Sequence, residues 1–288
     1  MNVERRARRR GLDSGRFRLA IVGTGPHGAR NIASVVTGMQ RRGFEIAPRA
    51  VPTYAALYET MSAGGCELAW APPLVALDLW RCAAAAPLVR PIRRGQSSYY
   101  SVLLARGEPG SSIESHRGAR VGWVAPESAA GYVVPRLGLR ALGIDADAFF
   151  GTRRFLGTHG ANLEALRRGA IDVAATYASL DQAKQSFALP PGATGSSVLA
   201  AYGPIPSDLL VVGRAVSPAT QCALRDAFVS LGVAEVEVEG ERGRLDGFEG
   251  AGVRHFDEIE AMGTRSHEEA LRMFAPRPSQ PPSATAAA

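Results

Sequence analysis

The sequence predicts an α/β fold built as two lobes. Short strand-like apolar runs alternate with segments of helical period along most of the chain. Gly64-Gly65 marks a helix stop within this alternation. The length, 288 residues with 46% hydrophobic, supplies a core large enough for one big domain or two lobes. The expected division is 16–100 plus 206–272 for lobe one and 101–205 for lobe two. Residues 1–15 read as a disordered basic arm. Residues 273–288 read as a disordered Pro/Ser/Ala tail.

Arg18–Val22 is the first strand. His27–Arg42 is helical, because Ile32, Val35, Val36 and Met39 recur at one face's spacing. Phe44–Ala50 is a strand, and Tyr54–Ala63 is a helix stopped by Gly64-Gly65. Glu67–Trp70 is a short buried strand. The theme repeats with strands at Ser98–Ala105 and Arg120–Val124. Pro126–Gly131 then leads into a helix that runs to Leu142. Arg153–Phe155 is a strand, and Gly157-Thr158-His159 opens a helix to Arg168. Val173–Thr176 and Leu209–Val212 are strands, and Pro218–Leu231 is a helix.

Composition excludes several function classes. No run of about 18 apolar residues exists, so no membrane-spanning helix is expected. The net charge is +6, but residues 1–18 hold seven Arg against Glu4 and Asp13, and the rest of the chain is close to neutral. A basic arm without a basic face is not a nucleic-acid surface, and no nucleic-acid partner is expected. Cys66, Cys82 and Cys222 show no CxxC spacing, and the five histidines form no ligand pair, so no metal and no cofactor are expected. The basic N-terminal stretch is followed only by the short run Leu19–Gly23, which is too brief for a secretory core. As written, the chain reads as cytoplasmic. It reads as periplasmic or cell-envelope if its true start lies upstream.

Three motifs bear on chemistry. Gly23-Thr24-Gly25-Pro26-His27-Gly28 fits the dinucleotide pattern between a strand and a helix, with Glu45 available as a ribose-binding acid. It also fits a plain tight turn. Ser128 is placed to cap a helix whose free N–H groups and dipole favour an anion. Thr158 and His159 open a second such helix, with a histidine able to donate or titrate. Tyr54, Trp70, Tyr99 and Tyr177 lie at strand or helix ends, where ligands of open α/β sheets bind. No nucleophile elbow and no paired carboxylates occur, so no catalysis is expected.

Six segments in order carry a resemblance. They are Tyr54-Ala55-Ala56-Leu57 through Cys66-Glu67-Leu68-Ala69-Trp70, Tyr99-Tyr100-Ser101-Val102, Pro126-Glu127-Ser128-Ala129-Ala130-Gly131-Tyr132, Gly157-Thr158-His159, Gly169-Ala170-Ile171-Asp172-Val173, and Ile205-Pro206-Ser207-Asp208. Together they resemble the PhnD-type phosphate/phosphite/phosphonate-binding proteins of ABC importers, over about 18–260. The resemblance implies the type 2 periplasmic-binding-protein fold, with a ligand cleft between two lobes. It implies a solute-binding protein that closes on a small anion, a permease as partner, and a monomer. The implied ligand-binding residues are Tyr54, Trp70, Tyr99, Ser128, Ala129, Ala130, His159 and Tyr177, with Tyr54, Tyr99, Ser128 and His159 lining the largest cleft. Ser128 matches the first hydroxyl of the family's P-x-S-T-S-G-Y pattern, and Ala129 and Ala130 stand where the next two hydroxyls would be. A hydrogen bond lost to a charged group is worth about 1.5–3 kcal/mol. Weak phosphonate binding and a less charged or bulkier anion are therefore expected. The alternatives are a cytoplasmic sensor or enzyme on the same fold, and third a dinucleotide-binding oxidoreductase using Gly23, Gly25 and Gly28.

Overall fold

A computed structural model of the chain describes residues 15–23, 32–107, 110–181, 185–236, 239–240 and 243–257. The first half of lobe one comprises β1 (Arg16–Val22), α1 (Ala33–Arg41), β2 (Glu45–Val51), α2 (Tyr54–Ser62), β3 (Leu68–Ala71), α3 (Pro73–Arg81) and β4 (Ala85–Arg93). The second lobe follows with β5 (Ser98–Arg106), β6 (Arg120–Trp123), a π-helical turn at Ala129–Val133, α4 (Val134–Ala141), α5 (Ala146–Phe149) and β7 (Thr152–Phe155). It continues through α6 (His159–Arg167), β8 (Val173–Asp181), β9 (Ser186–Ala188) and β10 (Ser196–Pro206). The chain then returns to lobe one with β11 (Leu209–Gly213), α7 (Pro218–Val229), β12 (Glu239–Gly240) and β13 (Gly243–Gly250).

The strands form two sheets. One runs β12-β13-β4-β11-β3-β1-β2, and the other β10-β5-β8-β6-β7 with β9 on β8. β1 is parallel to β2 and β3, and β6 is parallel to β7 and β8. Each parallel set needs crossover helices, which the alternating sequence provides. Among the described residues two short links join the sheets, 94–97 and 207–208. They touch: Ser207 N–H donates to the Ser97 carbonyl at 3.0 Å. This is the two-crossover architecture that the sequence led us to expect.

Side-chain alternation along the strands sorts the core. In lobe one, Phe17, Leu19, Leu68, Leu210 and Val212 face α1 and α7 in one cluster. Their neighbours Ala20, Ala69, Leu209 and Val211 face α2 and α3 in another. That second cluster does not stop at the lobe boundary. It continues into lobe two through Leu103, Val121, Trp123, Val173, Ala175 and Tyr177. The outer face of the second sheet packs Val102, Leu104 and Ala174 on α6.

Sequence periodicity missed several elements. β4 carries Pro87 and Pro91 and still lies between β11 and β13. Pro87 pairs at a register shift against β11, where a missing N–H is tolerated. α3 opens on Pro72-Pro73, which reads locally as a breaker but sits at the helix N-terminus. The start of the helix expected at His27 lies outside the described residues, which take it up at Ala33.

Candidate functional site

Helix starts cluster at the carboxyl ends of the parallel strands. β2 leads into α2, where Thr53 Oγ1 accepts from Ala56 N–H at 3.1 Å and Tyr54 is the first helical residue. β7 leads into α6, where Thr158 Oγ1 accepts from Ala161 N–H at 3.0 Å and His159 comes first. β6 leads to Ser128, whose Oγ accepts from Gly131 N–H at 3.1 Å. Val133 N–H then bonds the Ser128 carbonyl at 3.0 Å, five residues back, which makes the π turn. Ala129 and Ala130 head this turn, so no carbonyl within it lies far enough back for their N–H groups.

The turn is locked to the second sheet. Ser101 on β5 donates its hydroxyl to the Ala130 carbonyl at 2.7 Å and is paired across the ladder with Tyr177 on β8. Tyr177 packs edge-on against the His159 ring at 5.0 Å. His159 Nδ1 lies 3.1 Å from Thr176 Oγ1. Ser128, Ala129, Ala130, His159 and Tyr177 are thus tied through Ser101 and Thr176. Sequence reasoning left those two residues out. Ser101 had a signal: a serine next to the apolar run Val102–Ala105 is buried only with a partner.

Tyr54 and Tyr99 pack on the apolar cluster that holds Ala129, Ala130 and Tyr177. Trp70 does not. It packs against the other lobe-one cluster, edge-on to Phe248 at 6.0 Å, and its indole N–H donates to Asp208 Oδ2 at 3.1 Å. Asp172 is bound at both carboxylate oxygens by Arg120, which holds its pKa down at about 2, a structural tie between β6 and β8.

Two described cavities bear on the site. The larger described, about 640 Å³, lies in lobe two against α4 and α5, lined by Tyr132, Arg136, Arg140 and Asp147 among others. Its lining does not include Tyr54, Tyr99, Ser128 or His159. The second, about 490 Å³, spans the lobes: Tyr54, Tyr58 and Glu59 from α2, Asp78 and Arg81 from α3, and Glu127 from the turn before Ser128. Three carboxylates against one guanidinium make this mouth acidic. The reading of Glu45 as a ribose acid is corrected. It begins β2, at the amino edge of the sheet, and pairs with Arg16 at 3.2 Å. Of the glycine pattern, Gly25 and Gly28 lie outside the described residues. Among the described residues no group of three metal-ligating side chains occurs, and no helix is long and apolar enough to cross a membrane.

The family model described as "ABC transporter, phosphonate, periplasmic substrate-binding protein" matches residues 33–260. The chain belongs to this family. The family consists of substrate-binding proteins of ABC transporters, and neither the oxidoreductase nor the sensor reading is favoured. No curated protein matches the chain. Solved structures share its fold. A binding protein component of an ABC phosphonate transporter from Pseudomonas aeruginosa superposes with TM-score 0.71 at 19% identity, over 87% of this chain and 86% of that one. PhnD1 from Prochlorococcus marinus, solved with methylphosphonate, gives 0.69 at 13%, over 87% and 98%. XAC2383 from Xanthomonas citri, solved with chloride, gives 0.66 at 17%, over 90% and 99%.

Proposed function

We propose that this family member captures a small organic anion between its lobes in the periplasm and presents it to an ABC permease. The supporting observation is the Ser128–Gly131 turn. Glu127, just before this turn in lobe two, and Tyr54, at the α2 N-terminus in lobe one, line one cavity. Both helix starts carry partial positive charge. Tyr54, Tyr99, Ser128, Ala129, Ala130, His159 and Tyr177 form the proposed contact set. Trp70, whose N–H is engaged by Asp208, is its outlying member.

The turn offers one hydroxyl, and the adjoining cavity brings Glu59, Asp78 and Glu127 close to it. Both features disfavour a compact dianion. The proposed ligand is a singly charged or bulkier anion whose organic part lies against Tyr54 and Tyr99. Calorimetric titration with methylphosphonate tests this. The natural chain is expected to bind more weakly than micromolar. Ala129→Thr combined with Ala130→Ser is expected to gain at least tenfold, about 1.4 kcal/mol. Submicromolar binding by the natural chain, or no gain in a double variant that melts normally, would overturn the reading.

A further inference from the structure

His255 takes no part in the proposed site, yet it is buried at the lobe junction. It sits in a helical turn at 254–257 that is fastened to lobe one. The next residue, Phe256, is fully buried and stacks on Trp80 of α3 at 5.0 Å. Ala251 N–H donates to the Leu88 carbonyl of β4 at 3.2 Å. From this base the imidazole reaches the second link between lobes: Nε2 lies 3.0 Å from the Ser207 carbonyl. Its other nitrogen, Nδ1, lies 3.4 Å from the Arg90 guanidinium, which in turn is paired with Glu249 at 2.6 Å.

Chemistry fixes the proton. Arginine has only donors, so Nδ1 must accept and carry no hydrogen. Nε2 must then carry it, and a carbonyl is the partner it needs. The neutral Nε2–H tautomer satisfies both contacts, and the imidazolium satisfies only one. The peptide of Ser207 is thereby held on two sides. Its N–H binds Ser97 of the first link, and its carbonyl binds His255 of lobe one. Asp208 is held to lobe one as well, through Trp70.

We propose that His255 is a positioning residue of the hinge. It assigns Ser207 and Asp208 to the lobe-one body, so that lobe rotation is confined to the adjoining pairs Ser98–Pro206 and Tyr99–Ile205. The proposal rests on the family reading only in taking lobe closure as the working motion. Its test uses no ligand, so a wrong ligand assignment leaves it standing.

The full chain is labelled with nitrogen-15 histidine and read at pH 7.5. The residue 255 signal is assigned by its loss in His255→Asn. A protonated Nε2 and a bare Nδ1 are expected; a protonated Nδ1 overturns the proposal. Amide exchange follows. In His255→Phe the Ser207 amide is expected to exchange at least tenfold faster, while Val173–Ala175 in β8 stay within threefold of the natural chain. His255→Asn, which can donate to Ser207 and accept from Arg90, is expected to restore Ser207 to within threefold. Small-angle scattering of the free proteins should show a broader spread of lobe separations for His255→Phe alone. Unchanged exchange at Ser207, uniform acceleration across both lobes, or identical scattering would each overturn it. If His255→Phe does not fold, Arg90→Met keeps the ring and removes the donor to Nδ1. Nε2 must then stay protonated against the Ser207 carbonyl, and its loss of the proton counts against the proposal.

Discussion

In the turn after β6, a Cβ on Gly131 would lie 2.3 Å from Val124 Cγ2 and 2.7 Å from Ser128 Oγ. That is the space through which Ser128 accepts the Gly131 N–H, so the hydroxyl is held by the absence of a side chain three residues on. Gly131→Ala is expected to cost about 1–3 kcal/mol by overpacking. The same change should weaken anion binding beyond the stability loss, because the turn itself shifts. Calorimetric melting together with titration separates the two effects. At His255 the expectation concerns pH. Burial, first of all, lowers its pKa from 6.5 to about 4. Between these values the unfolded chain binds a proton that the folded chain refuses, so stability falls as pH falls through that window. The loss amounts to about 3 kcal/mol at most once pH is below both values. Denaturation midpoints at pH 7, 5.5 and 4.5 check this, and His255→Asn should flatten the slope.

At the scale of elements, capping decides which helix ends are presented to the cleft. Thr53, Ser128 and Thr158 each satisfy an N–H three residues on. Thr158→Ala is expected to cost about 1 kcal/mol. It should also loosen His159, whose ring position depends on the first turn of α6, and broaden the Tyr177 ring signals in NMR spectra. A wild-type melting point with unchanged ring signals would contradict this. The Arg120–Asp172 pair ties β6 to β8 at the opposite end of the sheet. Its carboxylate, held at about 2 by the guanidinium, adds stability above the ordinary carboxylate range that is lost as pH falls from about 4 toward 2. Asp172→Asn should therefore remove part of the acid dependence below pH 4 and leave the His255 step above it.

For the molecule as a whole, the arm is the simplest test. Arg16 and Arg18 are engaged by Glu45 and Glu67, and both lie within β1. A chain starting at Gly15 keeps these pairs and every strand of lobe one. Its melting temperature is expected to stay within a few degrees of the full chain. A drop beyond about 10 °C would mean the arm packs on the body, since 1 kcal/mol moves a domain of this size by roughly 2–4 °C.

The alternation of strand and helix, the order of the site segments and the helix starts at Ser128 and Thr158 are local properties, and the sequence carried them. Periods of 2 and 3.6 residues and a hydroxyl before a first turn need only neighbours in the chain. So do the departures at Ala129 and Ala130. What needed the fold was everything set by contacts distant in sequence. β4, with its two prolines, is a strand because β11 and β13 flank it. Trp70 and Tyr54 looked alike as aromatics at element ends. The indole went to Asp208, 138 residues away, and Tyr54 went to the junction cavity with Glu127. His255 looked like one more isolated histidine. Only the return of β11 to lobe one brings the Ser207 carbonyl to its ring, since a hydrogen bond across 48 residues leaves no trace in local spacing.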